Sequence, residues 1–109
     1  MRINELVEKA YLNANEKGFW SDLDCNLEDA QTQEQINAIG NRLMLIVGEV
    51  AEAQEGLRHN DKDNFREELA DIAIRLADLC GGLEVDLEHE IERKMAINNS
   101  RPWKHGKAF

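Results

Sequence analysis

The chain has 109 residues and a formal net charge of −9, with 22 acidic against 13 basic side chains, which suits one compact domain and argues against a surface built to neutralise nucleic-acid phosphates. The acidic excess lies within residues 1–92, because Arg93, Lys94, Arg101, Lys104 and Lys107 are accompanied by no acid up to Phe109. No stretch approaches the roughly 18 apolar residues of a membrane span, and Met1, Arg2, Ile3, Asn4 and Glu5 lack the apolar core of a signal peptide, so a cytoplasmic protein without a membrane partner is expected.

Residues 2–17 read as a first helix with Ile3, Leu6, Val7, Ala10, Tyr11 and Ala14 on its apolar side, stopped at Gly18, which suits a left-handed cap. The stretch "FWSDLDCNLEDAQTQE" has no clean period and predicts a structured loop with a helical turn. Thr32 followed by Gln35 forms a capping box, and the helix it opens carries a seam at Ile36, Ile39, Leu43, Ile46, Val50, Ala53 and Leu57. "RHNDKD" interrupts the pattern, and Asp61 or Asp63 can cap a third helix that buries Phe65, Leu69, Ile72, Leu76, Leu79 and Leu83 and ends near Gly81 and Gly82. Asp86 caps a fourth helix with an inward row of Leu87, Ile91, Lys94 and Asn98, and Pro102 prevents its continuation. Cys25 and Cys80 are far apart, lack CxxC spacing, and are expected as free thiols.

No β alternation competes with these periods, so the expectation is a single all-α domain over residues 1–109, a four-helix arrangement whose short connections make neighbours antiparallel. Met44, Leu45, Val47 and Ala51 lie outside the seam of the second helix and leave it apolar around most of its circumference. One small bundle covers such a helix poorly, which predicts a homo-oligomer, dimer or tetramer, with helices packed between chains.

Glu49 and Glu52 stand three apart, as do Glu68 and Asp71 within "EELAD", a spacing that puts each pair about 60° apart on one helix face. Antiparallel packing of the second and third helices through their seams would bring four carboxylates together. At about 6 Å and an effective dielectric near 20, each pair of charges repels by roughly 3 kcal/mol, so the cluster needs a cation. Oxygen ligands suit a hard ion such as Mg²⁺; a di-iron bundle would use Glu-x-x-His pairs, and neither acidic pair contains histidine. The competing reading is a solvated acidic face. Asp86 and His89 also stand three apart, but Asp86 is better explained as a cap, and Glu55 and Glu67 read as surface acids. Arg75 and Asp78 extend the polar edge of the third helix and are expected to form a salt bridge supporting the acids.

Lys94 and Asn98 continue an inward row, where a lysine is costly unless paired. A phosphate would satisfy it, and so would a core glutamate or an extension to solvent. Arg101, Lys104, His105 and Lys107 of the basic tail could fold over a triphosphate, and Gly106 would permit a tight turn. Trp20 is a candidate for stacking on a base, against the alternative of an aromatic plug for its loop. His59 and His89 are expected in solvent at helix ends.

Glu49-x-x-Glu52, fifteen residues, then Glu68-x-x-Asp71, followed by Lys94 and Asn98 within "DLEHEIERKMAINNSRP", resembles the signature of the MazG-like all-α nucleoside triphosphate pyrophosphohydrolases. The likeness covers residues 36–102 and leaves 103–109 as a basic tail. It implies a MazG-like bundle that hydrolyses a nucleoside triphosphate to its monophosphate and pyrophosphate and cleanses the nucleotide pool. Glu49, Glu52, Glu68 and Asp71 would hold Mg²⁺, with Mn²⁺ able to substitute, and Lys94 and Asn98 would bind phosphates with help from Arg101. A dimer or dimer of dimers is implied too, with sites that draw on more than one chain. Glu49 or Glu52 is the expected base. Two alternatives stand beside this reading: phosphoribosyl-ATP pyrophosphohydrolase, with similar acidic motifs, and a non-enzymatic helical interaction module.

Overall fold

Local capping chemistry sets most of the helix boundaries. In the computed structural model, which describes residues 1–101, α1 spans Ile3–Glu16, α2 Gln33–Arg58, α3 Lys62–Leu83 and α4 Leu87–Asn99. No strand occurs among the described residues, and no helix among them is long and apolar enough to cross a membrane. The Thr32 capping box forms in full: Gln35 N–H donates to Thr32 Oγ1 at 3.1 Å, and Thr32 N–H donates to Gln35 Oε1 at 3.0 Å. Asp61 caps α3 by accepting from Asn64 N–H at 3.0 Å, while Asp63 lies in the first turn and pairs with Arg66. Asp86 caps α4 through His89 N–H, also at 3.0 Å. Gly18 sits just past α1 at φ 82°, a conformation that glycine adopts without penalty.

The loop after α1 is built of turns and contains no helix among residues 17–32. Its far end is tied to α3 where Leu27 N–H donates to the Leu83 carbonyl at 3.0 Å.

α3 ends beside Gly81 and Gly82 as expected: its last residue is Leu83, and the cap Glu84 takes the left-handed conformation itself at φ 59°. The two glycines also serve close approach. A Cβ on Gly81 would stand 2.5 Å from Tyr11 Cβ, and one on Gly82 would stand 2.1 Å from the six-membered ring of Trp20. A chain passing this close to an aromatic ring has no room for a side chain, a requirement separate from ending the helix.

α2 and α3, joined by the short connection 59–61, pack as an antiparallel hairpin, and α1 lies along α3. The core has two small parts. Ala14, Trp20, Leu23, Leu79 and Leu83 form one, with Ile39 and Ile46 of α2 leaning on it; Val7, Ala10, Ala77 and Cys80 form the other. Both belong chiefly to the contact of α1 and the following loop with α3. Cys25 and Cys80 are free thiols, and burial pushes the Cys80 thiol up.

Two packing expectations need correction. The seam of α2 is only partly covered: Ala53 is buried and Ile39 and Ile46 half-buried, but Ile36, Leu43, Val50 and Leu57 stay exposed, as do Leu69 and Leu76 on α3. Met44, Leu45 and Val47 are exposed as expected, Met44 to 62 %. The physical reason is the second correction: α4 finds its packing on α1, not against α2, and so does not close a four-helix core. Leu87 and Ile91 of its row are half-buried, whereas Lys94 is exposed. α4 ends at Asn99 with Ser100 as its cap. Pro102 and the tail residues Trp103, Lys104, His105, Gly106 and Lys107 lie outside the described residues.

Candidate metal centre between α2 and α3

The hairpin places Glu49 of α2 opposite Glu68 and Asp71 of α3. One carboxylate oxygen from each lies within 4.8 Å of the others. Asp71 is exposed, Glu49 half-buried, and Glu68 only 9 % exposed. Glu68 Oε2 is buried with no hydrogen-bond donor among the described residues. A buried carboxylate oxygen with no donor costs free energy, and the neighbours here are further carboxylates.

Electrostatics follow from that crowding. Glu68 is pushed up to about 7, first by proton sharing with Glu49, then by desolvation and by the charges of Glu52, Glu49 and Asp71. Glu49 moves down, because Arg75 Nε donates to its Oε1 at 2.8 Å. One carboxyl of the adjoining pair thus holds the proton while the other stays ionised against a guanidinium.

The expected convergence of four acids becomes a triangle of three with Glu52 at its edge. Glu52 is exposed and outside the 4.8 Å group, although its charge contributes to raising Glu68. Helix geometry accounts for this: Glu52 lies about 60° round α2 from Glu49 and one turn further along.

Arg75 and Asp78 do not pair with each other as expected. Arg75 takes Glu49, and Asp78 Oδ1 accepts from Trp20 Nε1 at 2.7 Å. Burial pushes the Asp78 carboxyl up, opposed by the Trp20 hydrogen bond and by the charges of Arg42 and Arg75. Trp20 is 7 % exposed and held on several sides: the Arg42 guanidinium lies 4.3 Å from its ring centroid, Tyr11 meets it edge-on at 5.8 Å, and Gly82 lies against its six-membered ring. A ring so enclosed is an anchor for its loop, in line with the aromatic-plug alternative and not with stacking on a base. Its neighbour Phe19, at 62 % exposure, is the open aromatic on this loop.

Arg42 was not singled out by sequence reasoning. It donates to Phe19 O at 2.7 Å, Ala38 O at 3.0 Å and Asp22 Oδ1 at 2.6 Å, and it holds the Asp22 carboxyl down. A usable signal existed: Arg42 stands seven residues before Glu49 and Asp78 seven after Asp71, so two helical turns carry both onto the acidic face. One polar column therefore runs along the hairpin, from the acids through Arg75 to Asp78, Trp20 and Arg42.

The residues expected to bind phosphate are elsewhere in the chain. Lys94 and Arg101 are exposed, and Asn98 is half-buried with a buried Oδ1 that has no donor among the described residues. All three belong to α4 and its end, which the packing on α1 keeps from joining the acids of the same chain. His59 is exposed and contacts Glu55, and His89 is exposed, as expected of helix-end histidines.

Three carboxylates, one of them buried and without a donor among the described residues, offer only oxygen and net negative charge, a set whose chemistry would suit a hard cation such as Mg²⁺ or Mn²⁺. Compared with known protein families, curated proteins and solved structures, the chain matches none of them.

Proposed function

We propose that the chain is a Mg²⁺-dependent nucleoside triphosphate pyrophosphohydrolase, releasing pyrophosphate and a monophosphate from a deoxynucleotide or noncanonical nucleotide. The observation that carries this reading is Glu68: a nine-tenths-buried carboxylate whose Oε2 has no donor, set against Glu49 and Asp71. The resemblance of the two acidic pairs to the MazG-like signature supplies the reaction class. Glu49, Glu68 and Asp71 would hold the ion, with Glu52 completing the set. Bound Mg²⁺ would supply Lewis acidity and neutralise charge on the phosphates. Glu49 or Glu52 would take the proton of the attacking water, and ionised Glu49 is already the lower-pKa member of its pair with Glu68.

The phosphate-binding role of Lys94, Asn98 and Arg101 belongs, in this reading, to a neighbouring copy, since α4 packs on α1 in its own chain. Half-exposed Leu43, Val47 and Val50 on α2 support an assembly, since covering them with a second copy would complete a MazG-like bundle.

Pyrophosphate release from a panel of standard and modified nucleoside triphosphates, with Mg²⁺ and with chelator, tests the reaction. Metal-dependent release that falls by about a hundredfold or more in Asp71→Asn is expected, since even groups supporting metal ligands contribute 10–100-fold. No release from any nucleoside triphosphate refutes this reading, and phosphoribosyl-ATP is then the next substrate to try.

A further inference from the structure

We propose that Arg75 is a resident counter-cation of the acidic site, which a divalent ion displaces from Glu49, and that Asp78 receives the displaced guanidinium. This inference rests on the metal reading above. Among the described residues, Arg75 is the cation paired with the acidic triangle, through Nε to Glu49 Oε1 at 2.8 Å. That carboxylate is one of the three a hard ion would use, and a guanidinium held 2.8 Å from it repels a divalent ion placed among the same acids. The Arg75 side chain is 42 % exposed, so rotation is open to it.

Asp78 is the natural destination. It stands three residues further along α3, a spacing at which side chains meet across one helical turn. Its Oδ1 accepts from Trp20 Nε1 at 2.7 Å, and no hydrogen bond to Oδ2 occurs among the described residues. Burial already disfavours its charge, and the positive charge of Arg75 acts on it from its present position. Moving Arg75 to Asp78 would therefore give Asp78 Oδ2 a donor, while freeing a carboxylate that the ion takes over. Trp20 shares Asp78, so the exchange also ties the loop after α1 to the state of the site. Arg75 is a positioning residue in this scheme, because it acts through Glu49.

The test is Mn²⁺ affinity of the full chain, read from the free-ion EPR signal at alkaline pH, for wild type, Arg75→Gln, Asp78→Asn and the double variant. Arg75→Gln is expected to bind Mn²⁺ about two- to fivefold more tightly, the range for a partly exposed ion pair. Asp78→Asn is expected to bind more weakly by a similar factor, and the double variant to match Arg75→Gln. Equal or weaker binding by Arg75→Gln overturns the proposal, because an arginine that only orients Glu49 would help the ion. An Asp78→Asn effect that persists without Arg75 overturns it as well. Arg75→Gln alone decides the competition should Asp78→Asn fail to fold, since the half-exposed Arg75 carries no core packing. Absence of Mn²⁺ binding in every protein overturns the metal reading itself, and this inference with it.

Discussion

Metal affinity should depend steeply on pH below neutrality, for a reason contained in the Glu49 and Glu68 pair. Glu68 holds its proton up to about 7, against an ordinary value of 4.5. An ion that uses both Glu68 oxygens or shares them with Glu49 must displace that proton, so below about pH 7 the apparent affinity falls about tenfold per pH unit, or about thirtyfold between pH 8.5 and pH 5.5. The same shift has the opposite sign for the metal-free fold. Between 4.5 and about 7 the folded chain keeps a proton that the unfolded chain has lost, so folding takes up a proton and stability declines as pH rises through that window. Glu49, held down by Arg75, contributes stability that is present above 4.5 and is lost only as pH falls through its lowered value. Mn²⁺ calorimetry at several pH values, repeated in buffers of different ionisation enthalpy, would measure affinity and count the protons released. Equal affinity at about pH 5.5 and 8.5, with no proton release, would refute the reasoning.

Other outcomes follow from the packing around Trp20 and the surface of α2. Gly82→Ala should destabilise the fold by about 1–3 kcal/mol or more in urea unfolding, because the new methyl overlaps the Trp20 ring and a packed core yields little. Trp20→Phe keeps most of the ring but strands the Asp78 carboxylate, and about 1–3 kcal/mol should be lost in the same assay. Val47→Glu, on the exposed side of α2, should leave helicity by circular dichroism unchanged and lower the mass seen in sedimentation to that of one chain; an unaltered multimer would exclude this face as the contact.

The elements were legible because their signals are local. Thr32 with Gln35 and Asp86 announced two helix starts through side chains that satisfy free backbone N–H groups, and both form as read. The spacing of Glu49, Glu68 and Asp71 likewise needed only helical geometry and an antiparallel hairpin. What periodicity leaves open is the choice of neighbour. Leu87 and Ile91 have an apolar row that fits α1 as well as α2, and choosing α1 moved Lys94 and Asn98 away from the acids. Arg75 had two acidic candidates one turn or one helix away and pairs with Glu49, while Asp78 Oδ1 accepts from an indole that lies 58 residues distant in sequence. The close approach that requires the glycine pair was not legible for the same reason: the rings of Tyr11 and Trp20 that demand their small size come from other elements.

That pair has a consequence for how the molecule breathes. Each glycine inside a helix costs about 1 kcal/mol relative to alanine, so the last turn of α3, from Leu79 to Leu83, is intrinsically its weakest, and contact with Tyr11 and Trp20 compensates. When α1 and its loop lift away, that turn loses what holds it and should fray with them. Amide hydrogens of Gly81, Gly82 and Leu83 should then exchange at the rate of α1 detachment, as one cooperative opening, while the α3 turns around Glu68 and Asp71 exchange on a slower and separate clock.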